Sequence, residues 1–315
     1  MLTGTLEILA ETQPLPAWID APAWTPVTAW RAVDVWNSER VLFVEYNGPV
    51  PHTLMAQIGT VGGTLVDTLG VLYPGAAATW AERREPGLVP MPLTELPVDE
   101  GLAELADALR TTDRTWPRQD DADYVAVQAL AWSRCRAHLP SLADSAGEPM
   151  ADEQRRELVA EFLAADGPAE DVAGSEVNRS LTELFLDYGQ GYLTAGPLCW
   201  SPGTAMLFLT DWLPRKAVLS AEQRAGLPEA LRRWVRFALD RRGVPAEWIT
   251  PVVAAVDEWL PEFEDSFDES SDWGPAKQIA AELANRGIDM TDREQVRQAV
   301  ARLNAERLAR SLLDE

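Results

Sequence analysis

The apolar pattern changes period once, near residue 75, and that change decides what the chain can fold into. Before Tyr73 it runs in short alternating stretches rich in Val, Trp, Phe and Tyr: Ala29–Trp36, Val41–Tyr46, His52–Ile58 and Thr64–Tyr73. Alternation puts successive side chains on opposite faces of a strand. In the second stretch Val41, Phe43 and Glu45 face one way, and Leu42, Val44 and Tyr46 the other. Asn37-Ser38-Glu39-Arg40, Asn47-Gly48-Pro49 and Gly62-Gly63 separate the stretches. The pattern predicts an antiparallel meander of about four strands. Residues 1–25, interrupted by prolines, read as an extended arm.

Beyond that point the period is helical. Ala76–Arg84 reads as a short helix, and Pro86, Pro90, Pro92 and Pro97 mark a connector. Leu102, Leu105, Ala106 and Leu109 then follow the i, i+3, i+4, i+7 rule, as do Val127, Leu130, Ala131 and Cys135. Pro140–Pro149 reads as a loop and boundary, and Gly167–Gly174 as a turn. Leu181, Leu184, Phe185, Tyr188 and Tyr192 stripe a central helix. Ser201 is placed to cap, and Pro202 to open, a buried helix over Gly203–Leu213 that Pro214 stops. Further helices are expected with a stripe at Leu231, Trp234, Val235, Ala238 and Leu239, and over Ala246–Leu260.

Eight acids and no base lie between Asp257 and Asp272, a block expected to be a solvated linker. A last helical pair follows, with Gly287 ending its first helix and Thr291 and Glu294 boxing the start of its second. The expected fold is α+β: a small N-terminal antiparallel sheet packed with helices, a helical domain, then a C-terminal helical hairpin. The expected domains span 1–140, 150–262 and 272–315, and strands belong almost entirely to residues 1–95.

Charge and composition narrow the functions. The 315 residues hold 50 acids against 27 bases, a net charge of -23. Such a surface repels phosphate backbones and anionic lipid, which disfavours nucleic-acid and membrane partners. Hydrophobic residues are 46% of the chain, enough for a buried core, yet no run approaches the ~20 apolar residues of a membrane span. The N-terminus lacks the basic and apolar regions of a signal peptide, and two cysteines make no disulfide framework. A cytoplasmic protein is expected.

Few residues are available for chemistry. Cys135, Cys199, His52 and His138 are all the Cys and His present, without the close second pair of a zinc site, so no metal or cofactor is expected. No phosphate loop or nucleophile elbow occurs. Ser201 is occupied in capping. Asp211, in a helix expected to be buried, needs a partner, and Arg215 lies at i+4. Asp187, Tyr188, Tyr192, Asp211 and Arg215 are the candidate ligand-binding or catalytic group. Arg215–Arg242 holds eight bases against three acids. Arg232, Arg233 and Arg236 are its candidate basic face, expected to meet Glu262, Glu264 and Asp265 of the acidic block. Trp18, Trp24, Trp30 and Trp36 recur every six residues, as core anchors or as an aromatic binding surface.

Two sets of stretches carry a resemblance. One is Gly48-Pro49-Val50-Pro51-His52-Thr53-Leu54 with Gly62-Gly63. The other is Leu186-Asp187-Tyr188, Trp200-Ser201-Pro202 and Asp211-Trp212-Leu213-Pro214-Arg215-Lys216, with a tail of Gly274-Pro275-Ala276-Lys277 and Arg286-Gly287-Ile288-Asp289. On these the chain resembles a family of uncharacterised actinobacterial proteins. No activity or ligand attaches to that family, so the resemblance implies none. The function expected from the residues is a non-catalytic protein–protein interaction or regulatory module. The alternatives are a DNA-associated regulator using the C-terminal helical pair, with Arg293 and Arg297 on its second helix, and an enzyme or small-ligand receptor at Asp187, Tyr188, Tyr192 and Asp211.

Overall fold

The alternating N-terminal stretches form five antiparallel strands: β1 (Thr25–Val33), β2 (Glu39–Asn47), β3 (His52–Gly59), β4 (Leu65–Leu72) and β5 (Leu93–Leu96). Their order in the sheet is β4-β3-β2-β1-β5. The computed structural model describes residues 24–85, 87–142, 150–165 and 172–267, and isolated positions between 283 and 302. The expected N-terminal arm lies outside the described residues up to residue 23. The C-terminal hairpin with its caps lies largely outside them too.

The sheet differs from expectation in two places. The proline-marked connector contains β5, which pairs with β1 from Ala29↔Leu96 to Ala32↔Leu93. Pro92 and Pro97 flank those four residues rather than interrupt them, and an edge strand tolerates proline at its ends. The first turn also comes earlier than Asn37–Arg40. Asp34 accepts from the Ser38 backbone N–H at 2.7 Å and its hydroxyl at 2.6 Å, and Asn37 takes a left-handed φ of 61°. That local carboxylate cap frees Glu39 and Arg40 to join β2.

The sheet is covered on both faces, which is why β2 is apolar on both. Leu42, Val44 and Tyr46 join a core with Leu102, Leu105 and Leu109 of α2 (Val98–Arg114) and Ala131 and Cys135 of α3 (Ala122–Cys135). Val41 and Phe43 pack with Met91 and with Ala77 and Trp80 of α1 (Ala76–Arg83). The face assignment made from alternation holds for every apolar residue of that strand.

The described residues divide into two compact units with a boundary at Pro149/Met150. The segment Tyr192–Cys199 belongs with the first unit, where Leu193 bridges Val61. The second unit is helical: α4 (Asp152–Ala164), α5 (Val172–Tyr192), α6 (Pro202–Leu207), a π turn (Phe208–Trp212), α7 (Leu213–Lys216), α8 (Ala221–Arg241) and α9 (Ala246–Phe267). Its centre is aromatic. Phe185 sits 6.4 Å from Trp200, 5.7 Å from Phe208 and 5.9 Å from Trp234. Among the described residues no strand lies between Leu181 and Leu260.

Capping follows the sequence closely. Ser201 accepts from the Thr204 N–H at 3.1 Å, and Pro202 opens α6. Gly243, at φ 73°, closes α8: its N–H reaches the Asp240 carbonyl and that of Val244 the Leu239 carbonyl, the two bonds of a Schellman motif.

Three expectations are corrected. Pro214 does not stop the helix, which continues to Lys216. The π turn just before it resets the ladder, with the Leu213 N–H reaching back to Phe208, so the missing proline N–H is absorbed by a local bulge. Gly174 lies inside α5 rather than in a turn. And α9 does not end at Leu260. Val252, Val256 and Phe263 continue one buried stripe, while Asp257, Glu258, Glu262, Glu264 and Asp265 occupy the exposed side. Through Phe267 the acidic block is therefore a helix face and not a linker.

Candidate functional site

The residues singled out from sequence do not share one pocket wall. Asp211 is not buried: it and Arg215 are each 54% exposed and pair at 2.7 Å. The π turn rotates Asp211 outward from a helix that was expected to be apolar all round. Asp187 is 59% exposed and binds Arg155 at 2.6 Å. Arg155 also takes Glu183 at 2.5 Å and the Glu183 carbonyl at 2.9 Å, so this arginine, missed from sequence, clasps α4 to α5. Tyr188 is buried against Trp200 and Phe208, with its hydroxyl 3.4 Å from the Thr204 carbonyl. Tyr192 is exposed at the end of α5.

The basic face is partly met by the acidic helix, in a different register from the one expected. Arg232 donates to Asp257 at 2.6 Å and to Glu229 at 3.2 Å. Arg224 donates to the Glu264 backbone carbonyl at 3.0 Å. These two bonds run α8 and α9 antiparallel, which carries Glu262–Asp265 toward Arg224 and away from Arg232, Arg233 and Arg236. Arg233 lies over the Phe162 ring at 5.3 Å, and Arg236 is exposed.

Of the tryptophans at intervals of six, Trp18 lies outside the described residues, and the other three make no exposed surface. Trp24 and Trp36 are buried and Trp30 is half-buried. Among the described residues the exposed indole is Trp116, at 82%. It sits in the short link from α2 to α3, with Arg114, Pro117 and Arg118 also exposed around it. Among the described residues no carboxylate pairs with Arg114 or Arg118. The link is anchored beneath its tip. Gln119 donates to the backbone carbonyls of Val66 and Asp67 at 3.3 and 2.9 Å. Asp113 collects Tyr124, Gln128 and Trp132 at 2.8, 2.5 and 2.8 Å. Nothing periodic marks Trp116; its only sequence signal is a tryptophan between two helix patterns, where no core needs one.

A second cluster is buried at the ends of β2 and β3. Tyr46 and His52 are register partners, and their rings stack at 5.2 Å and 12°. Trp24, just before β1, meets the His52 ring edge-on at 4.9 Å. Arg134 of α3 lies 5.2 Å from the Trp24 ring and 5.5 Å from the Tyr46 ring. Burial pushes the Tyr46 phenol above its ordinary range, against the opposing pull of Arg134. Burial likewise pushes the Cys135 thiol up to about 12 and lowers the Arg134 guanidinium. Cys135 is fully buried, and the His138 Nδ1 lies 3.4 Å from Asp99. Among the described residues no His, Cys, Asp and Glu side chains cluster as a metal site, and no helix is long and apolar enough to cross a membrane.

No protein-family model, curated protein or solved structure matches the chain.

Proposed function

We propose that the protein is a non-catalytic interaction module that engages a protein partner through the Arg114–Arg118 turn. The observation that carries this reading is Trp116, 82% exposed on a link whose base is tied to β4 and α3. An indole left in water forgoes roughly 2–3 kcal/mol of burial. Tryptophan and arginine are also the residues that dominate interface hot spots. Arg114 and Arg118 stand beside it without a described carboxylate, in a chain with acids to spare. Charge complementarity therefore favours a partner surface with an apolar socket rimmed by carboxylates. The carboxylates first suspected of chemistry are held by arginines on neighbouring turns and helices, which is the work of a scaffold.

The test compares wild-type and Trp116→Ala chains as baits in extracts, quantified by mass spectrometry, with sedimentation velocity on each. A hot-spot tryptophan contributes about 2 kcal/mol or more, so the substitution weakens the captured partner by about 30-fold. If a second copy is the partner, wild type sediments as a dimer and the variant as a monomer. Identical capture by both baits, with both monomeric, overturns the reading.

A further inference from the structure

The two edges of the sheet are guarded differently. β5 is four residues long, has proline on either side and carries an exposed carboxylate at Glu95. Each of these features keeps a further strand from adding. β4, the other edge, is guarded only at its start. Thr112 and Gln119 hold the backbone of Val66 and Asp67, and Asp67 stands at a break in register with β3. Beyond it the pairing with β3 runs evenly to Leu72. Among the described residues no side chain or strand closes the outer edge of residues 70–72, and that stretch holds no charge, proline or bulge. Its end is apolar as well. Leu69 belongs to the core beneath α2 and α3. Val71 points to the same side of the strand but is 45% exposed, and Tyr73 after it is 56% exposed. The turn at 47–51 lies at the same end of the sheet, because Tyr46 pairs with His52 and Thr53 with Leu72.

Backbone N–H and C=O groups along an edge are matched by another extended strand. The charge pattern says whose. Between Glu45 and Glu82 the sole charged residue is Asp67, in a chain that is 24% charged and carries a net charge of -23. Copies of such a chain repel wherever their carboxylates face one another. At residues 70–72 they meet with no carboxylate on either side. A cationic partner gains nothing at this edge and is drawn to the acids elsewhere. We propose that β4 is a self-association edge, at which residues 70–72 pair antiparallel with the same residues of a second copy about a two-fold axis. Val71 then meets its own counterpart. A strand paired with itself leaves neither copy a free β4 edge, so association stops at two. The pairing uses no residue of the Trp116 turn, and either reading stands without the other.

Sedimentation velocity over two decades of protein concentration, with amide exchange measured at both ends of that range, tests the proposal on the full chain. Wild type is expected to pass from monomer to dimer, and the outward-pointing amides among residues 70–72 to exchange more slowly in step. Added salt is expected to strengthen the dimer, because it screens the repulsion between the acidic bodies. Val71→Lys sets two like charges opposite each other on the edge and lowers the association constant by at least about tenfold. Val71 is half-exposed, so this variant keeps the denaturation midpoint. Trp116→Ala is expected to dimerise as wild type does. A wild type that stays monomeric overturns the proposal, as does a dimer that survives Val71→Lys. Exchange at residues 70–72 that ignores concentration also overturns it, and that measurement needs no variant. A dimer lost in Trp116→Ala and kept in Val71→Lys assigns self-association to the turn and not to the edge.

Discussion

Gly101 shows how one residue sets the distance between layers. It lies on the buried side of α2, and a Cβ built there would stand 2.8 Å from the Cβ of Ala29 on β1, with Leu96 and Leu42 methyls at 3.6 and 3.7 Å. Ala29 is itself the smallest side chain that fills its place in the sheet. Two effects compete on Gly101→Ala. Helix propensity favours alanine by about 1 kcal/mol, while overpacking a closed core costs about 1–3 kcal/mol. The contacting atom is anchored to a central strand and has no rotamer to escape into, so the steric term wins. Gly101→Ala is expected to lower the urea midpoint by the equivalent of about 1 kcal/mol at unchanged slope; a higher midpoint would mean α2 can lift from the sheet.

At the scale of elements, the informative feature is how β4 ends the sheet. An edge strand exposes unpaired backbone groups and invites a second chain. Here the N-terminal half of the edge is closed from the α2 side. Thr112, 5% exposed, accepts from the Val66 N–H at 2.8 Å and donates to the Ala108 carbonyl at 2.8 Å. Gln119 holds the Val66 and Asp67 carbonyls. Thr112→Val keeps the shape but orphans a buried N–H, a loss of ~1–3 kcal/mol. It is expected to lower the denaturation midpoint and to speed amide exchange at Val66 selectively; uniform exchange with an unchanged midpoint would show that the bond contributes little. At the opposite edge, β5 is kept to four residues with proline on both sides, a second way of limiting the same hazard.

For the molecule as a whole, the acid excess is a surface property with little leverage on the fold. Pairs such as Arg215–Asp211 and Arg156–Glu153 are largely exposed and contribute only ~0–1 kcal/mol each. Alkaline pH has more leverage. Burial pushes the Tyr46 phenol above its ordinary value of 10.0. It does the same to Tyr124, whose hydroxyl also donates to Asp113. Both phenols hold their protons more tightly folded than unfolded. Their contribution is fully present below pH 10, the unfolded value, and is lost as pH rises through the folded values. Urea midpoints are therefore expected to fall as pH rises past about 10, with phenolate absorbance from these two tyrosines appearing only as the chain unfolds. Early phenolate absorbance in the folded chain would contradict it.

The sequence by itself determined the α+β class, the strand faces, most helices and their caps. Each of those rests on local chemistry. Period-two alternation set Leu42, Val44 and Tyr46 against Val41 and Phe43. Ser201-Pro202 and Gly243 are punctuation read within a few residues. What only the tertiary structure decided depends on neighbours distant in sequence. β5 is a strand because β1 offers it an edge, although its prolines read as a connector. Asp211 faces water because a π turn rotates it, and Arg232 meets Asp257 because helix packing sets the register. The buried cluster joins residues 24, 46, 52 and 134, over a hundred positions apart at its extremes, so no spacing in the chain could announce it. Local patterns encode which side of an element is apolar. Whether a buried donor finds its acceptor is settled only when separate elements meet.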